Sequence, residues 1–303
     1  RLHPGRGLGA ERGVGRMRRV PLWAAMAVAL SAPSIQAQEM NVAQCDAAWA
    51  QVLEIGQARP GAPATRFRHA VTPDGWCVLI TDQPGLEDAD FDRLLWRVEG
   101  IDAFLADRTP PLSLSLRIEG LGRDSHPDNL MDLSVILRQV PEARQLLLEE
   151  LRLVSEAGSE THVTAILNRV DLSSWSMAQV SAGSVVLSRL HLRAEVGPFF
   201  ERDFLPAIDA DLYGDPQELR QAARALIEYV PGTILAPGAE DHVLAFVEDL
   251  PAPRGELEVS LDADPGLGMM QFLLFGQSLY MSLDEAPGGP LRGVTVDVIW
   301  APE

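Results

Sequence analysis

The stretch LSLSLRIEGL at residues 112–121 places an apolar side chain at every second position. Leu114 and Leu116 alternate with Ser113 and Ser115. Because successive side chains of a β-strand point to opposite faces of a sheet, this alternation predicts a strand with one apolar face and one wet face. The same pattern recurs along the chain and therefore decides the fold class.

Three segments with strand character follow one another in the middle of the chain, at residues 145–156, 161–172 and 185–196. Ala157-Gly158-Ser159 predicts a hairpin turn between the first two. Residues 145–156 stay open between strand and helix, since Leu and Glu also favour helices. Consecutive strands with short connections predict a mostly antiparallel sheet. Further strands are predicted at 76–81, 91–100, 112–121, 256–263 and 294–300.

Helices are predicted where apolar residues recur at helical spacing. Asp215-Pro216 is a good start for one of them, because Asp caps helices and Pro fits the first turn, and Pro141 ends another. We therefore expect an α+β fold: a mostly antiparallel β-sheet with several amphipathic helices concentrated in the C-terminal third. The predicted helices are 42–55, 129–140, 217–229, 240–250 and a buried one within 267–275, while 57–74 is predicted to be a loop.

The charge of the chain excludes some classes of partner. Its 303 residues carry a net charge of −18. Six of the 25 basic residues and one of the 43 acidic residues lie in residues 1–37, which leaves a net charge of −23 on the rest. Such an acidic surface repels phosphate groups. We therefore expect no binding of nucleic acid or of anionic membranes.

Residues 17–37 show the order of parts found in a secretory signal peptide. Arg18-Arg19 supplies the charged start, residues 22–30 the apolar run, and Ala37 the small residue before the cut. We expect cleavage between Ala37 and Gln38. The apolar run is well short of the roughly 20 residues that span a bilayer. The mature chain is thus expected to lack a transmembrane anchor and to work in a bacterial periplasm or as a secreted protein.

The signal divides the chain into three parts. Residues 1–16 are rich in Gly and Arg, and we interpret them as an upstream or non-native extension. Residues 17–37 are the cleaved signal. Residues 38–303 are long enough for a single exported α+β domain, and the sequence as a whole is 47% hydrophobic, enough to form a core. A sub-boundary near 198–215 stays open, because the composition of the chain changes there.

Cys45 and Cys77 are the only cysteines of the chain. In an oxidising compartment, two well-separated cysteines outside a CxxC motif most simply form a disulfide. The bond would tie the first predicted helix to the first predicted strand.

The sequence contains no motif that carries catalysis. The five histidines after residue 37 never stand at metal-ligand spacing, there is no GxSxG, and Gly120-Leu121-Gly122 lacks the third glycine of a dinucleotide loop. We assign no catalytic, cofactor-binding or metal-ligating residue and expect a protein that is not an enzyme. A hydrolase assembled from distant residues stays open, with His162 or His191 beside carboxylates of neighbouring strands.

One segment, residues 269–275, combines bulky and flexible apolar side chains. Such runs line cores or pockets for apolar ligands. We expect an exported, non-enzymatic binding or interaction protein whose partner is an envelope protein or an apolar small molecule. A carrier or sensor of an apolar or amphiphilic ligand is the alternative, and oligomeric state is left open. The candidate ligand contacts are Met269, Met270, Phe272 and Phe275.

When the chain is expressed from Met17 with export, we expect a mature protein that begins at Gln38 and has lost the two thiol hydrogens of Cys45 and Cys77. Intact-mass spectrometry checks both. Ala37→Trp is the control, because a bulky residue before the cut should leave the signal in place. Wild-type protein that retains residues 18–37 would contradict the prediction.

Overall fold

A computed structural model describes residues 40–56, 68–80, 89–123, 126–156, 158–198, 200–201, 216–229, 234–268 and 291–303. These residues form one antiparallel sheet with helices at its ends, which confirms the mixed α+β class. The elements in chain order are α1 (Val42–Gly56), β1 (Arg68–Val71), β2 (Cys77–Ile80), β3 (Ala89–Asp90), β4 (Arg93–Glu99), α2 (Ile101–Asp107), β5 (Ser113–Arg123), β6 (His126–Val140), β7 (Gln145–Ser155), β8 (Glu160–Asn168), α3 (Trp175–Ala182), β9 (Val186–Val196), α4 (Pro216–Tyr229), α5 (Ala239–Asp249), β10 (Gly255–Gly268) and β11 (Val294–Pro302).

The strands pair in nearly the order of the sequence, β1-β2-β4-β5-β6-β7-β8-β9-β10-β11, and short β3 pairs with β5. Every pairing of named strands is antiparallel. Short connections favour this order, because neighbours in sequence can pair without a crossover. The hairpin between β7 and β8 turns at Gly158, whose φ of 88° suits a residue without a Cβ.

Alternation along the strands gives the sheet two different faces. We call them the apolar face and the charged face. The central row of the apolar face is Leu116, Val135, Leu151, Val163, Leu192, Val259 and Val298. The adjacent row, on the charged face, is Arg117, Ser134, Arg152, His162, Arg193, Glu258 and Ile299.

Helices α1 and α2 cover the apolar face where the sheet begins. Helix α1 starts at Val42 because Asn41 and Gln44 cap it reciprocally: each backbone N–H donates to the other's side-chain oxygen, at 3.1 and 3.0 Å. Ile101 and Phe104 of α2 are buried in the same core as residues of β2, β4 and β5. The largest core of the described residues therefore lies under these two helices.

The predicted disulfide is present in this core. Cys45 of α1 and Cys77 of β2 are bonded, with their Cα atoms 5.8 Å apart and no exposed surface on either residue. The bond joins the first helix to the sheet, as the sequence predicts.

At the other end of the sheet, α5 packs on β11. The Trp300 ring meets the Phe246 ring edge to face at 5.0 Å, and its indole N–H donates to Asp249 at 2.7 Å. Val247 and Leu250 are buried beside α4. The apolar face is thus covered at this end as well.

Three of the predictions are wrong. Residues 129–140 lie in β6 and not in a helix, because Met131 and its alternating neighbours pair on both sides with β5 and β7. Residues 68–71, predicted as loop, form β1. Helices 42–56, 101–107 and 175–182 also show that the helices are not concentrated in the C-terminal third.

Several predicted features lie outside the described residues. Met269, Met270, Phe272 and Phe275 are among them, as are residues 1–39 with the Ala37–Gln38 cleavage site. Of the helix predicted within 267–275, Leu267 and Gly268 belong to β10 instead.

Replacing both cysteines, Cys45→Ala with Cys77→Ala, should lower the free energy of unfolding by about 3 to 4 kcal/mol, since the bond closes a loop of 32 residues in the unfolded chain. Urea unfolding at constant pH measures the loss. Wild type treated with a reductant is the matched control and should lose a similar amount. An unchanged midpoint in both would contradict the prediction.

Candidate functional site

The middle of the apolar face forms a surface made almost entirely of aliphatic side chains, which we call the aliphatic strip. It comprises the inward aliphatic residues of β6 to β9 together with Thr161, while two further polar residues of the same face, Gln139 and Ser155, lie at its edges in register with Leu146 and Met131. Its side chains are Met131, Leu133, Val135, Leu137, Leu146, Leu148, Leu151, Leu153, Thr161, Val163, Ala165, Leu167, Leu187, Leu190, Leu192 and Ala194.

The aliphatic strip differs in burial from the two ends of the sheet. Apart from Ala165, its side chains are half-buried, whereas Leu94, Trp96 and Val98 of β4 are 5 to 6% exposed. Only Leu133 and Leu187 pack against the cores at the ends. No helix in the described ranges packs extensively on β6 to β9. Among the described residues, an apolar surface therefore lies between two covered ends without a helix packed on it.

The dimensions of the strip follow from strand geometry. Three spacings of about 4.8 Å separate β6 from β9, and seven residues at about 3.3 Å separate Leu146 from Leu153. The surface measures about 14 Å by about 23 Å, or about 300 Å². Apolar patches of this size on a monomer are often functional.

The charged face shows which side of the sheet meets water. Arg152 and Glu160 are linked at 2.6 Å, and Arg189 and Asp262 at 3.0 Å. The hydrogen bond from Arg152 lowers the pKa of Glu160 and correspondingly raises the pKa of Arg152. Exposed pairs of this kind add little stability. Because these ion pairs all lie on the charged face, that face can meet water, and the apolar face is the one that has to be shielded from water.

Two imidazoles are paired with carboxylates. His69 Nδ1 lies 2.8 Å from Asp46, with its side chain 1% exposed between the Trp49 and Trp96 rings. His191 Nε2 lies 2.8 Å from Glu258 on the charged face. Nucleophilic catalysis also needs a hydroxyl or thiol beside the base. Across the described residues, no Ser, Thr or Cys side chain is hydrogen-bonded to either imidazole.

A metal site would need several ligands in one place. Within the ranges that the structure describes, no three His, Cys, Asp or Glu side chains are grouped in that way. None of the helices described combines the length and apolar character needed to cross a bilayer.

The sequence shows the alternation that builds the strip but not the strip itself. Leu190 and Leu192 were recognisable as one face of a strand, yet each of them looks like an ordinary core position. One signal in the sequence could have identified the surface. The predicted strands with an apolar face outnumber the predicted helices that could pack on them. The candidate ligand segment 269–275 lies outside the described residues.

Comparison with known proteins identifies no relative: no family model matches the chain, and neither a curated protein nor a solved structure is significantly similar to it.

A Val→Thr exchange distinguishes the open strip from the closed core, because it keeps shape but adds a hydroxyl that burial penalises. We expect Val98→Thr, in the core under α2, to lower the free energy of unfolding by about 1 to 3 kcal/mol. Val163→Thr, in the strip, should lower it by less than about 0.5 kcal/mol, since the new hydroxyl of a half-buried side chain can still reach water. Urea unfolding of both variants checks this, and equal losses would show that the strip is closed.

Proposed function

We propose that the protein is an exported, non-enzymatic binding protein that carries an amphiphile by laying its acyl chain on the aliphatic strip. The observation that carries the proposal is the half-buried apolar surface of β6 to β9 between two covered ends. Export is supported by the signal-like residues 17–37 and by the Cys45–Cys77 disulfide, since such bonds persist in oxidising compartments.

The chemistry of the strip favours hydrocarbon over a protein partner. Protein interfaces are enriched in aromatic residues and Arg, and they carry hydrogen bonds. The strip offers neither aromatic nor charged side chains, and the polar side chains of its face are Thr161 and, at the edges, Ser155 and Gln139. An acyl chain has no polar groups to satisfy and therefore fits a surface that can form almost no hydrogen bonds.

The free energy available from the strip is suited to reversible carriage. Covering about 300 Å² of apolar surface is worth at most about 8 kcal/mol. This is the scale of micromolar affinity, before the loss of motion on binding is subtracted. A ligand held in this way can be passed on.

The headgroup of such a ligand would lie at an end of the strip. Strand ends are where polar side chains and backbone groups become available, while the middle rows are aliphatic throughout. In this proposal the strip selects ligands by their acyl chain, and the headgroup contacts the loops at the strand ends.

The first test uses cis-parinaric acid, whose fluorescence rises on transfer from water to an apolar surface. Wild type should bind it, and Val163→Asp should weaken binding at least about tenfold, since a carboxylate in the strip must be desolvated when the chain binds. Fluorescence titration of the oxidised, exported protein measures both affinities.

Ile166→Asp is the matched control, because Ile166 lies on the same strand but on the charged face, in register with Arg189. It should leave probe binding unchanged. If Val163→Asp unfolds, Val163→Thr gives a milder change and should weaken binding by a few-fold. Failure of wild type to bind the probe, or equal weakening by Val163→Asp and Ile166→Asp, would overturn the proposed function.

A further inference from the structure

Helix α3 carries apolar side chains that face water. Trp175 is 37% exposed, Met177 40% and Val180 74%. Most large apolar residues of a short helix are used for packing, but these are not needed for it. Their exposure distinguishes α3 from the helices at the ends of the sheet.

Polar side chains hold α3 in place without help from that apolar surface. The Ser174 hydroxyl caps the helix by accepting from the Met177 backbone N–H at 3.2 Å. Near the other end, the buried Ser181 hydroxyl accepts from the Asp171 backbone N–H at 3.2 Å. The helix is therefore tied at both ends by hydrogen bonds, and its exposed side chains are available for an external contact.

The position of α3 links it to the aliphatic strip. The helix connects β8 to β9, and the last strip residues before and after it, Leu167 and Leu187, are directly paired. The adjacent turn between β6 and β7 is joined to this connection, since the Val170 N–H donates to the Arg144 carbonyl at 2.9 Å. Helix α3 thus stands at one end of the strip.

The charge around α3 is unlike that of the chain as a whole. Residues 172–188 contain no charged side chain, although the protein carries a net charge of −18. Beside α3, Arg144 and Arg169 share a cavity of about 440 Å³ with Met177 and Val180. No described carboxylate forms an ion pair with either guanidinium.

Acidic groups near the two arginines balance their charge. Asp171 lines the same cavity, and its pKa is lowered chiefly by the Ser173 hydroxyl and backbone N–H, with a smaller contribution from the Arg144 charge. Glu142 is exposed in the turn before Arg144. The net charge around α3 is therefore close to zero. Such a region can approach a partner surface that carries both positive and negative groups but no net charge.

We propose that α3 docks on zwitterionic phospholipid bilayers, with Met177 and Val180 entering the interfacial layer while Arg144 and Arg169, which line the same cavity, meet lipid phosphates. Guanidinium groups bind phosphate in a two-point geometry. A patch of two apolar side chains is too small for a stable protein interface, which buries more than about 1,000 Å². The inference rests on the proposed function, since the bilayer would supply or receive the amphiphile of the strip.

Flotation with phosphatidylcholine vesicles tests the docking. Wild type should float with the vesicles, and the double variant Met177→Asp with Val180→Asp should bind about tenfold less, because two carboxylates would have to leave water. Val52→Asp is the matched control, as Val52 is 49% exposed on α1, far from α3 in sequence, and it should float like wild type. Circular dichroism of all three proteins verifies folding.

A second pair of variants tests the phosphate contact. Arg144→Gln with Arg169→Gln should reduce flotation several-fold on phosphatidylcholine and leave binding to vesicles of an uncharged glycolipid unchanged. Flotation of the α3 double variant equal to that of wild type, or no flotation of wild type, would overturn the docking.

Titration of the same proteins with cis-parinaric acid, without vesicles, separates the two proposals. The α3 double variant should bind the probe as wild type does, since it changes no strip residue. Probe binding without flotation would overturn the docking and leave the proposed function standing. Flotation without probe binding would support the docking and overturn the proposed function.

Discussion

The alternation of apolar and polar side chains along ten paired strands is the constraint on which the rest of this structure depends. In an antiparallel sheet with this register, one face is predominantly apolar across the sheet. Exposed hydrocarbon of that extent is unfavourable in water. The apolar face therefore has to be shielded from water, and this need explains the position of the helices and of the disulfide and the character of the strip.

At both ends of the sheet, helices of the same chain pack on the apolar face and shield it from water. Cys45 in α1 and Cys77 in β2 hold the first cover in place, and Asp249 of α5 anchors the second through the Trp300 indole. Each cover spans only a few strands. The described part of the sheet is wider than the two covers together, and its strands without a packed helix are the middle ones, β6 to β9.

An open aliphatic middle has a clear physical use, because a surface without hydrogen-bonding groups distinguishes hydrocarbon from almost everything else in water. The proposed docking helix follows from the same geometry. Because α3 connects two strip strands, a bilayer that it touches lies next to the end of the strip, and an acyl chain could pass between them without a long exposure to water. Neutral surroundings around Arg144 and Arg169 avoid the repulsion that the acidic remainder of the chain would meet at an anionic surface.

The sequence by itself determined the local structure in which side-chain period is decisive. Strands such as Val186–Val196, the helix Pro216–Tyr229 and the pairing of the only two cysteines were all predictable from spacing and residue type. Only the tertiary structure decided that residues 129–140 are a strand. Their apolar positions fit both the 3.6-residue repeat of a helix and the two-residue repeat of a strand, and the strand forms because it pairs with β5 and β7. The tertiary structure also decided which apolar positions are core and which form the strip, since burial depends on what packs above a residue and not on the residue itself.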